Sequence, residues 1–131
     1  MTGYVLDDLA LTAGLDEFSE EHHRREFSRL LRDAIDGGPG LAIPALCLAG
    51  AAVVRSAIAD HIAAIVAVAP PHAVDVIGFA RTERLEQFRS DHPYAAWPVV
   101  AAAVHAMAAG WPVLTTHLGR YARMSLDALQ L

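Results

Sequence analysis

The sequence predicts a single α/β domain with three layers, in which a mostly parallel central sheet is flanked by helices. Short apolar runs alternate with longer segments of helical periodicity along the 131 residues. Strands that alternate with helices need crossover connections, and such connections give a parallel sheet that is covered on both faces. Because 54% of the residues are hydrophobic, a chain of this length can bury one full core, and residues 1–131 are expected to form one domain.

Four segments have the composition of strands. Residues 4–6 form a short β-prone run, residues 74–77 form a second one, and residues 111–116 follow the glycine that ends a helix. The last segment, residues 126–131, alternates between apolar and polar side chains at its end, which is typical of an edge strand that closes the sheet.

Helices are predicted from caps and from apolar periodicity. Asp7 and Asp8 can cap a short helix over residues 9–15, and Ser19 before two glutamates is a typical helix start. The amphipathic helix that follows is ended by the glycines and proline of residues 37–40. Further helices are predicted over residues 45–54, 56–68, 81–89 and 99–109, although in residues 62–69 periodicity alone does not separate a buried helix from a buried strand.

Composition excludes several classes of protein. The net charge of -5 argues against broad electrostatic attraction to nucleic acid, which needs a basic face. The longest apolar stretches are too short to span a bilayer, and the N-terminus has no basic lead of the kind that begins a secretion signal. Cys47 is the single cysteine, so no disulfide can form within the chain and we expect a cytoplasmic protein with no membrane contact.

Polar side chains follow two of the predicted strands. Asp7 and Asp8 come directly after the first strand, whereas Thr115, Thr116 and His117 end the strand near the close of the chain. In an open parallel sheet, ligands bind in the crevice outside the carboxyl ends of the strands. We therefore expect these five residues to line one binding crevice.

Several short segments of the sequence resemble segments of the PIN-domain family, which includes the ribonuclease toxins of type II toxin-antitoxin modules. Tyr4-Val5-Leu6-Asp7 resembles the opening strand of that family with its first metal-binding aspartate. Residues 43–49 resemble the approach to a glutamate-bearing helix, and residues 99–110 followed by 112–116 resemble the helix and strand that carry the remaining acids. Arg120-Tyr121 completes the resemblance, which covers the whole chain and implies a PIN-like fold.

The resemblance implies a chemistry for which most of the acids are missing. PIN-domain ribonucleases hydrolyse RNA with Mg²⁺ or Mn²⁺ held by a cluster of carboxylates. Here Gly50, Val99 and His117 stand at the positions where the family has acids. Glycine and valine offer no ligand atom, and the imidazole of His117 suits zinc, copper or nickel better than magnesium. Asp7 is the one acid that clearly persists, and it has an equally good interpretation as a helix cap.

These residues leave three functions open. The first is a degenerate PIN-like protein without a cofactor, which acts as a homodimer through an antitoxin-like or other protein partner, or through weak RNA contacts. The alternative is a metal-dependent endoribonuclease, possibly a toxin, that binds Mg²⁺ or Mn²⁺ through Asp7 with Asp91 or His117 as substitute ligands. The third is a domain that binds a small molecule in the same crevice without metal.

Two clusters outside the crevice are interpreted as solvated surface. None of the seven histidines has a histidine four residues away on a predicted helix, and His22 and His23 are adjacent, so they are expected to face different directions. Acidic residues alternate with a basic cluster on the second helix, which favours a salt-bridged face. The basic residues of that cluster are Arg24, Arg25, Arg29 and Arg32.

Overall fold

A parallel sheet forms the centre of the computed structural model, which describes residues 2–78 and 82–131. Within these residues the sheet has five strands, and every neighbouring pair runs parallel. The strands are β1 (Gly3–Leu6), β2 (Gly40–Pro44), β3 (Val74–Ile77), β4 (Val113–Thr115) and β5 (Ala128–Gln130), in the spatial order β3-β2-β1-β4-β5. This confirms the predicted α/β class.

Helices flank the sheet as the sequence predicts. They are α1 (Asp8–Leu15), α2 (Glu21–Ile35), α3 (Ala45–Val54), α4 (Ala57–Val68), α5 (Thr82–Asp91) and α6 (Trp97–Ala109), and a short 3₁₀ turn covers Leu118–Tyr121. Helix α4 resolves the ambiguity of residues 62–69 in favour of a helix up to Val68. Arg81, the first residue of the predicted charged helix, lies outside the described residues. None of the described helices is long and apolar enough to cross a membrane.

One strand is missing from the sequence prediction. All five residues of β2 are buried between β1 and β3, because β2 lies inside the sheet. A strand that is covered on both faces shows no alternation of apolar and polar residues, and the pattern therefore merges into the apolar helix α3 that follows. Pro44 is both the last residue of β2 and the N-cap of α3.

The predicted start of α2 also needs a correction. The Ser19 hydroxyl donates hydrogen bonds to the carbonyl oxygens of Ala13 and Asp16, at 2.6 and 2.7 Å, so it closes the turn after α1. Glu20 is the N-cap residue of α2, and its side chain makes no capping hydrogen bond. Ser19 therefore shapes the connection between the two helices instead of capping the second.

The connection between α1 and α2 is held by close packing. A Cβ atom on Gly14 would overlap the ring of Phe27, which is 1% exposed. Glycine at this position lets α2 lie directly against α1. Because α1 also packs on α3, and α3 on α6, this chain of contacts sets the walls around the first residues of α1.

Candidate functional site

The first acids of the chain lie where β1 ends and α1 begins. Asp7 has extended backbone angles and is the N-cap of α1, where its Oδ1 accepts a hydrogen bond from the backbone N–H of Ala10 at 2.9 Å. Asp8 is the first residue of the helix. Because the strand ends at Leu6, the alternation of side chains along a strand no longer applies to these two residues. Both carboxylates can therefore face the same group.

That group is the guanidinium of Arg120. The turn after β4 brings its Nη1 to 3.1 Å from Oδ2 of Asp7 and 2.8 Å from Oδ1 of Asp8. Its Nη2 lies 3.4 Å from Oδ2 of Asp8. The side chain of Asp7 is fully buried, while those of Asp8 and Arg120 are 17% and 18% exposed. Arg120 thus bridges two carboxylates in a largely desolvated position.

Two hydroxyl groups complete the surroundings of Asp7. The Tyr121 hydroxyl donates to Oδ2 of Asp7 at 2.8 Å, and Tyr121 is 3% exposed. Thr115, which is fully buried at the end of β4, is hydrogen-bonded to the same carboxylate. Together with Ala10 and Arg120, these groups give the buried carboxylate the hydrogen bonds that it needs away from water.

Burial and hydrogen bonding act on Asp7 in opposite directions. Burial raises the pKa of Asp7 above its ordinary value, although the hydrogen bonds from Ala10, Thr115 and Tyr121 and the charge of Arg120 all favour the anion. The pKa of Tyr121 is raised by its burial and by the neighbouring Asp7. Burial alone would lower the pKa of Arg120, but its hydrogen bond and attraction to Asp8, with a further contribution from Asp7, raise it. Arg120 is therefore a permanent cation at this position.

Helices α3 and α6 form the wall beside Asp8. A Cβ atom on Gly50 would lie 3.2 Å from Cβ of Asp8 and 3.2 Å from Cγ of Pro98, which is closer than most real contacts. The Cys47 thiol donates to the carbonyl oxygen of Pro98 at 3.1 Å. Burial, followed by the charges of Asp7 and Asp8, raises the pKa of this thiol well above its usual value. The space beside Asp8 is thus filled by helix backbone and a proline ring.

The structure brings together some of the residues predicted for the crevice. Asp7, Asp8 and Thr115 lie close together, and Thr116, which follows Thr115 in the chain, is half-buried. His117 is exposed: its backbone N–H donates to Oγ1 of Thr115 at 3.2 Å, and a Cβ on Gly119 would lie 3.2 Å from its ring Nε2. The imidazole of His117 therefore lies over the following turn.

Asp91, the other acid proposed as a substitute ligand, lies on a different part of the surface. It ends α5 and accepts a hydrogen bond from Gln87 of the same helix at 3.3 Å. Its surroundings include a groove lined by Val104 and Met107, in the second half of α6, whereas the wall beside Asp8 is formed by Pro98 at the start of that helix. The structure therefore does not bring Asp91 to the carboxylate of Asp7.

The donors around Asp7 and Asp8 differ from those that commonly hold a magnesium or manganese ion. Such an ion needs an octahedron of oxygen ligands, commonly from several carboxylates and water. Between Asp7 and Asp8 lies the guanidinium of Arg120, which is a cation that offers hydrogen-bond donors and no ligand atom. Gly50 and Val99 contribute no ligand oxygen. The two carboxylates already have a positive partner that is part of the chain.

Comparison with solved structures identifies the fold of the chain. The chain is similar to a chain in the crystal structure of VapBC2 from Rickettsia felis bound to a DNA fragment from their promoter, with a TM-score of 0.68, 13% identity and 98% of each chain covered. The chain has a PIN-like fold. It is also similar to PAE2754 from Pyrobaculum aerophilum, with a TM-score of 0.63 and 14% identity, over 98% of this chain and 90% of that one. No family model and no curated protein matches the sequence.

The role of Arg120 and Tyr121 is absent from the sequence prediction, although both belong to the family resemblance. Their partners in the chain are 112 to 114 positions away, so no local spacing connects them to the acids. The available signal was indirect. A turn that follows a strand of a parallel sheet lies at the same edge as the ends of the other strands, and buried carboxylates need cationic or hydrogen-bonding partners.

Proposed function

We propose that this protein is a non-catalytic PIN-like domain that acts through interactions with other proteins. The supporting observation is the guanidinium of Arg120, which pairs with both Asp7 and Asp8 at distances of 2.8 to 3.1 Å. In a metal-dependent nuclease these carboxylates would be free to hold a divalent cation. Here they are paired with a cationic side chain of the same molecule, so the proposed function needs no cofactor.

The ion pair would oppose metal binding energetically. Asp7 is fully buried, and its access to water is blocked in part by the side chain of Arg120. A cation that binds here must compete with Arg120 for Asp7 and Asp8, and the site offers it only these two carboxylates. We infer that millimolar Mg²⁺ or Mn²⁺ does not achieve this.

An exposed apolar surface on α3 and α4 supports interaction as the function. Four valines, which we call the valine surface, are 39% to 87% exposed: Val53, Val54, Val66 and Val68. Helix α3 has no charged residue, and within α4 the charged or titratable residues are Asp60 and His61. Large apolar side chains that are exposed to this degree are typical of protein contacts. We propose that these exposed valines meet the same side chains of a second copy and so form a homodimer.

Further partners follow from the fold. The sequence resembles ribonuclease toxins of toxin-antitoxin modules, and the similar VapBC2 structure was determined with a DNA fragment from its promoter. We propose an antitoxin-like protein partner for this chain. The net charge of -5 disfavours a broad nucleic-acid surface, and any RNA contact would be local. Since the single cysteine is buried and unpaired, we also propose a cytoplasmic location.

One observation favours the alternative of a metal-dependent endoribonuclease. Asp7 and Asp8 converge on a single point, and two convergent carboxylates are the beginning of a metal site. The two functions differ in a direct assay. The purified protein is incubated with single-stranded RNA and Mn²⁺, beside the variants Asp7→Asn and Asp91→Asn. We expect no cleavage by any of them. Cleavage by the wild type that Asp7→Asn removes and Asp91→Asn retains would establish the endoribonuclease.

The homodimer is tested through the valine surface. The double variant Val53→Asp/Val68→Asp places two charges on side chains that are 87% and 84% exposed, so the fold of the protomer should be preserved. Multi-angle light scattering should report a dimer for the wild type and a monomer for this variant. Val76→Asp changes a 42% exposed valine on the edge strand β3 and should remain dimeric. A monomeric wild type at the highest attainable concentration would contradict the proposed dimer.

A further inference from the structure

We propose that Glu20, His22 and His23 form a binding site for a transition-metal dication such as Zn²⁺ or Ni²⁺. The three residues lie at the start of α2, where each offers one ligand atom. These three atoms all lie within 4.8 Å of one another. The site is separate from Asp7 and Asp8. Those two acids lie at the start of α1, whereas Glu20 follows the end of this helix, which is about 12 Å long for its eight residues.

The positions of the rings differ from the expectation for adjacent residues on a helix. The ring centroids of His22 and His23 are 4.0 Å apart, with the planes tilted by 47°. His22 Nδ1 lies 3.2 Å from Oε2 of Glu20. Glu20 has extended backbone angles before the first turn, which lets its side chain return to the two imidazoles. The prediction that the two histidines face apart is therefore wrong.

This geometry is close to what a tetrahedral metal ion requires. Zinc binds imidazole nitrogen and carboxylate oxygen at about 2.0–2.2 Å, which places ligand atoms a little over 3 Å apart. The distance of 3.2 Å from Glu20 to His22 already meets this, and the ligand atom of His23 lies within 4.8 Å of both. The side chains of Glu20 and His22 are 73% and 67% exposed, so rotation about their side-chain bonds meets little packing resistance.

The donor set also determines which metal fits. Two imidazoles and one carboxylate form a set that is found in zinc sites, and it leaves a fourth position for water or a partner's side chain. Imidazole favours zinc, nickel and copper, whereas Mg²⁺ and Mn²⁺ prefer oxygen ligands. The proposed ligand is therefore chemically distinct from the ion of a PIN-domain nuclease.

The local charges are compatible with a dication. A helix N-terminus disfavours a cation only weakly at an exposed surface, and this effect is small beside three coordinate bonds. Arg25, a cation one turn further along α2, is paired with Glu21 at 2.7 Å. The carboxylate of Glu20 supplies one negative charge to the ion directly.

The test uses the untagged full chain, titrated with ZnCl₂ in competition with a chromophoric chelator. We expect one tight equivalent for the wild type, and at least a tenfold loss of affinity in both His22→Ala and His23→Ala, since even the loss of an outer-shell partner costs 10–100-fold. His72→Ala is the matched control, because exposed His72 faces a single acid, Asp75, at 3.8 Å. The control should bind like the wild type. Unchanged affinity in His22→Ala/His23→Ala, or an equal loss in His72→Ala, would mean an adventitious ion only and would overturn the site.

Discussion

Replacing Arg120 with alanine is the perturbation that most directly probes the electrostatics of the crevice. The change removes the cation that bridges Asp7 and Asp8, and it leaves a fully buried carboxylate next to a second acid. Asp7 keeps its hydrogen bonds to Ala10, Thr115 and Tyr121, so the carboxylate loses its counter-charge but not all of its partners. We therefore expect a substantial loss of stability without unfolding.

The magnitude follows from the two short ionic hydrogen bonds that are lost. A hydrogen bond to a charged group contributes about 1.5–3 kcal/mol net, and breaking a buried ion pair costs about 3–5 kcal/mol. Asp8 and Arg120 retain some contact with water, at 17% and 18% side-chain exposure, which places the expected loss near the lower end of this range. We expect a decrease of about 3 kcal/mol in the free energy of unfolding at pH 7, or about 10 °C in Tm for a domain of this size.

The loss should depend on pH in a defined direction. Burial already raises the pKa of Asp7 in the folded protein above its unfolded value, and removing Arg120 raises it further. A group whose folded pKa is raised contributes stability below the unfolded pKa and loses it as pH rises through the folded pKa. The difference in the free energy of unfolding between the wild type and the variant therefore increases from about pH 4 to pH 7. At pH 4 the two proteins should differ least.

Urea denaturation at pH 7 and at pH 4.5, followed by circular dichroism, measures both effects. Arg123→Ala is the matched control, because Arg123 is an exposed cation three residues away that also belongs to the segment after β4. This control should change the free energy of unfolding by less than about 0.5 kcal/mol. If Arg120→Ala were as stable as Arg123→Ala at pH 7, Arg120 would not balance the buried acids and the reasoning would fail.

Three further substitutions or modifications probe the same region and the packing behind it. Tyr121→Phe removes the hydroxyl that donates to Asp7 at 2.8 Å, and urea denaturation should show a loss of about 2 kcal/mol. Gly14→Ala places a methyl group in the space that the ring of Phe27 occupies, and thermal melting should show a destabilisation of about 1–3 kcal/mol from overpacking. The Cys47 thiol is fully buried with a raised pKa, so iodoacetamide at pH 8 should label it in denaturant and leave the native protein unmodified, as judged by mass spectrometry.

The fold could be predicted from the sequence because its signals are local. Apolar periodicity identifies the amphipathic helix α2, and Gly110 marks the end of α6 through its left-handed backbone at φ 70°. Strand β2 is the exception, since its buried residues show no period of two and the strand runs at Pro44 directly into the apolar helix α3. The cap formed by Asp7 was also predictable, because it joins residues only three positions apart.

The partners of the acids could not be predicted in the same way, because they depend on tertiary contacts. Arg120 is one of ten arginine and lysine residues, and although Arg120-Tyr121 belongs to the family resemblance, no local spacing connects Arg120 to the acids. Only the sheet order, which places β4 beside β1, brings the turn after β4 to the start of α1. The sequence also does not predict that the rings of His22 and His23 lie close together. Adjacent side chains on a helix point in different directions on average, but rotation about the side-chain bonds in the first turn brings these two rings together.

The charge of the crevice explains how two acids can persist there without a metal. Two carboxylates that share one site repel each other, and without a cation one of them would take up a proton. A cluster of four acids needs a divalent ion, but Asp7 and Asp8 carry only two negative charges. The guanidinium of Arg120 supplies one positive charge, and the N-terminus of α1 contributes about half of another. Together with the hydrogen bonds from the hydroxyls of Tyr121 and Thr115, these positive charges nearly balance the two carboxylates.

On this argument, adding a third acid by Gly50→Glu should destabilise the protein, because the new carboxylate would meet the side chain of Asp8 with no further cation to pair with it.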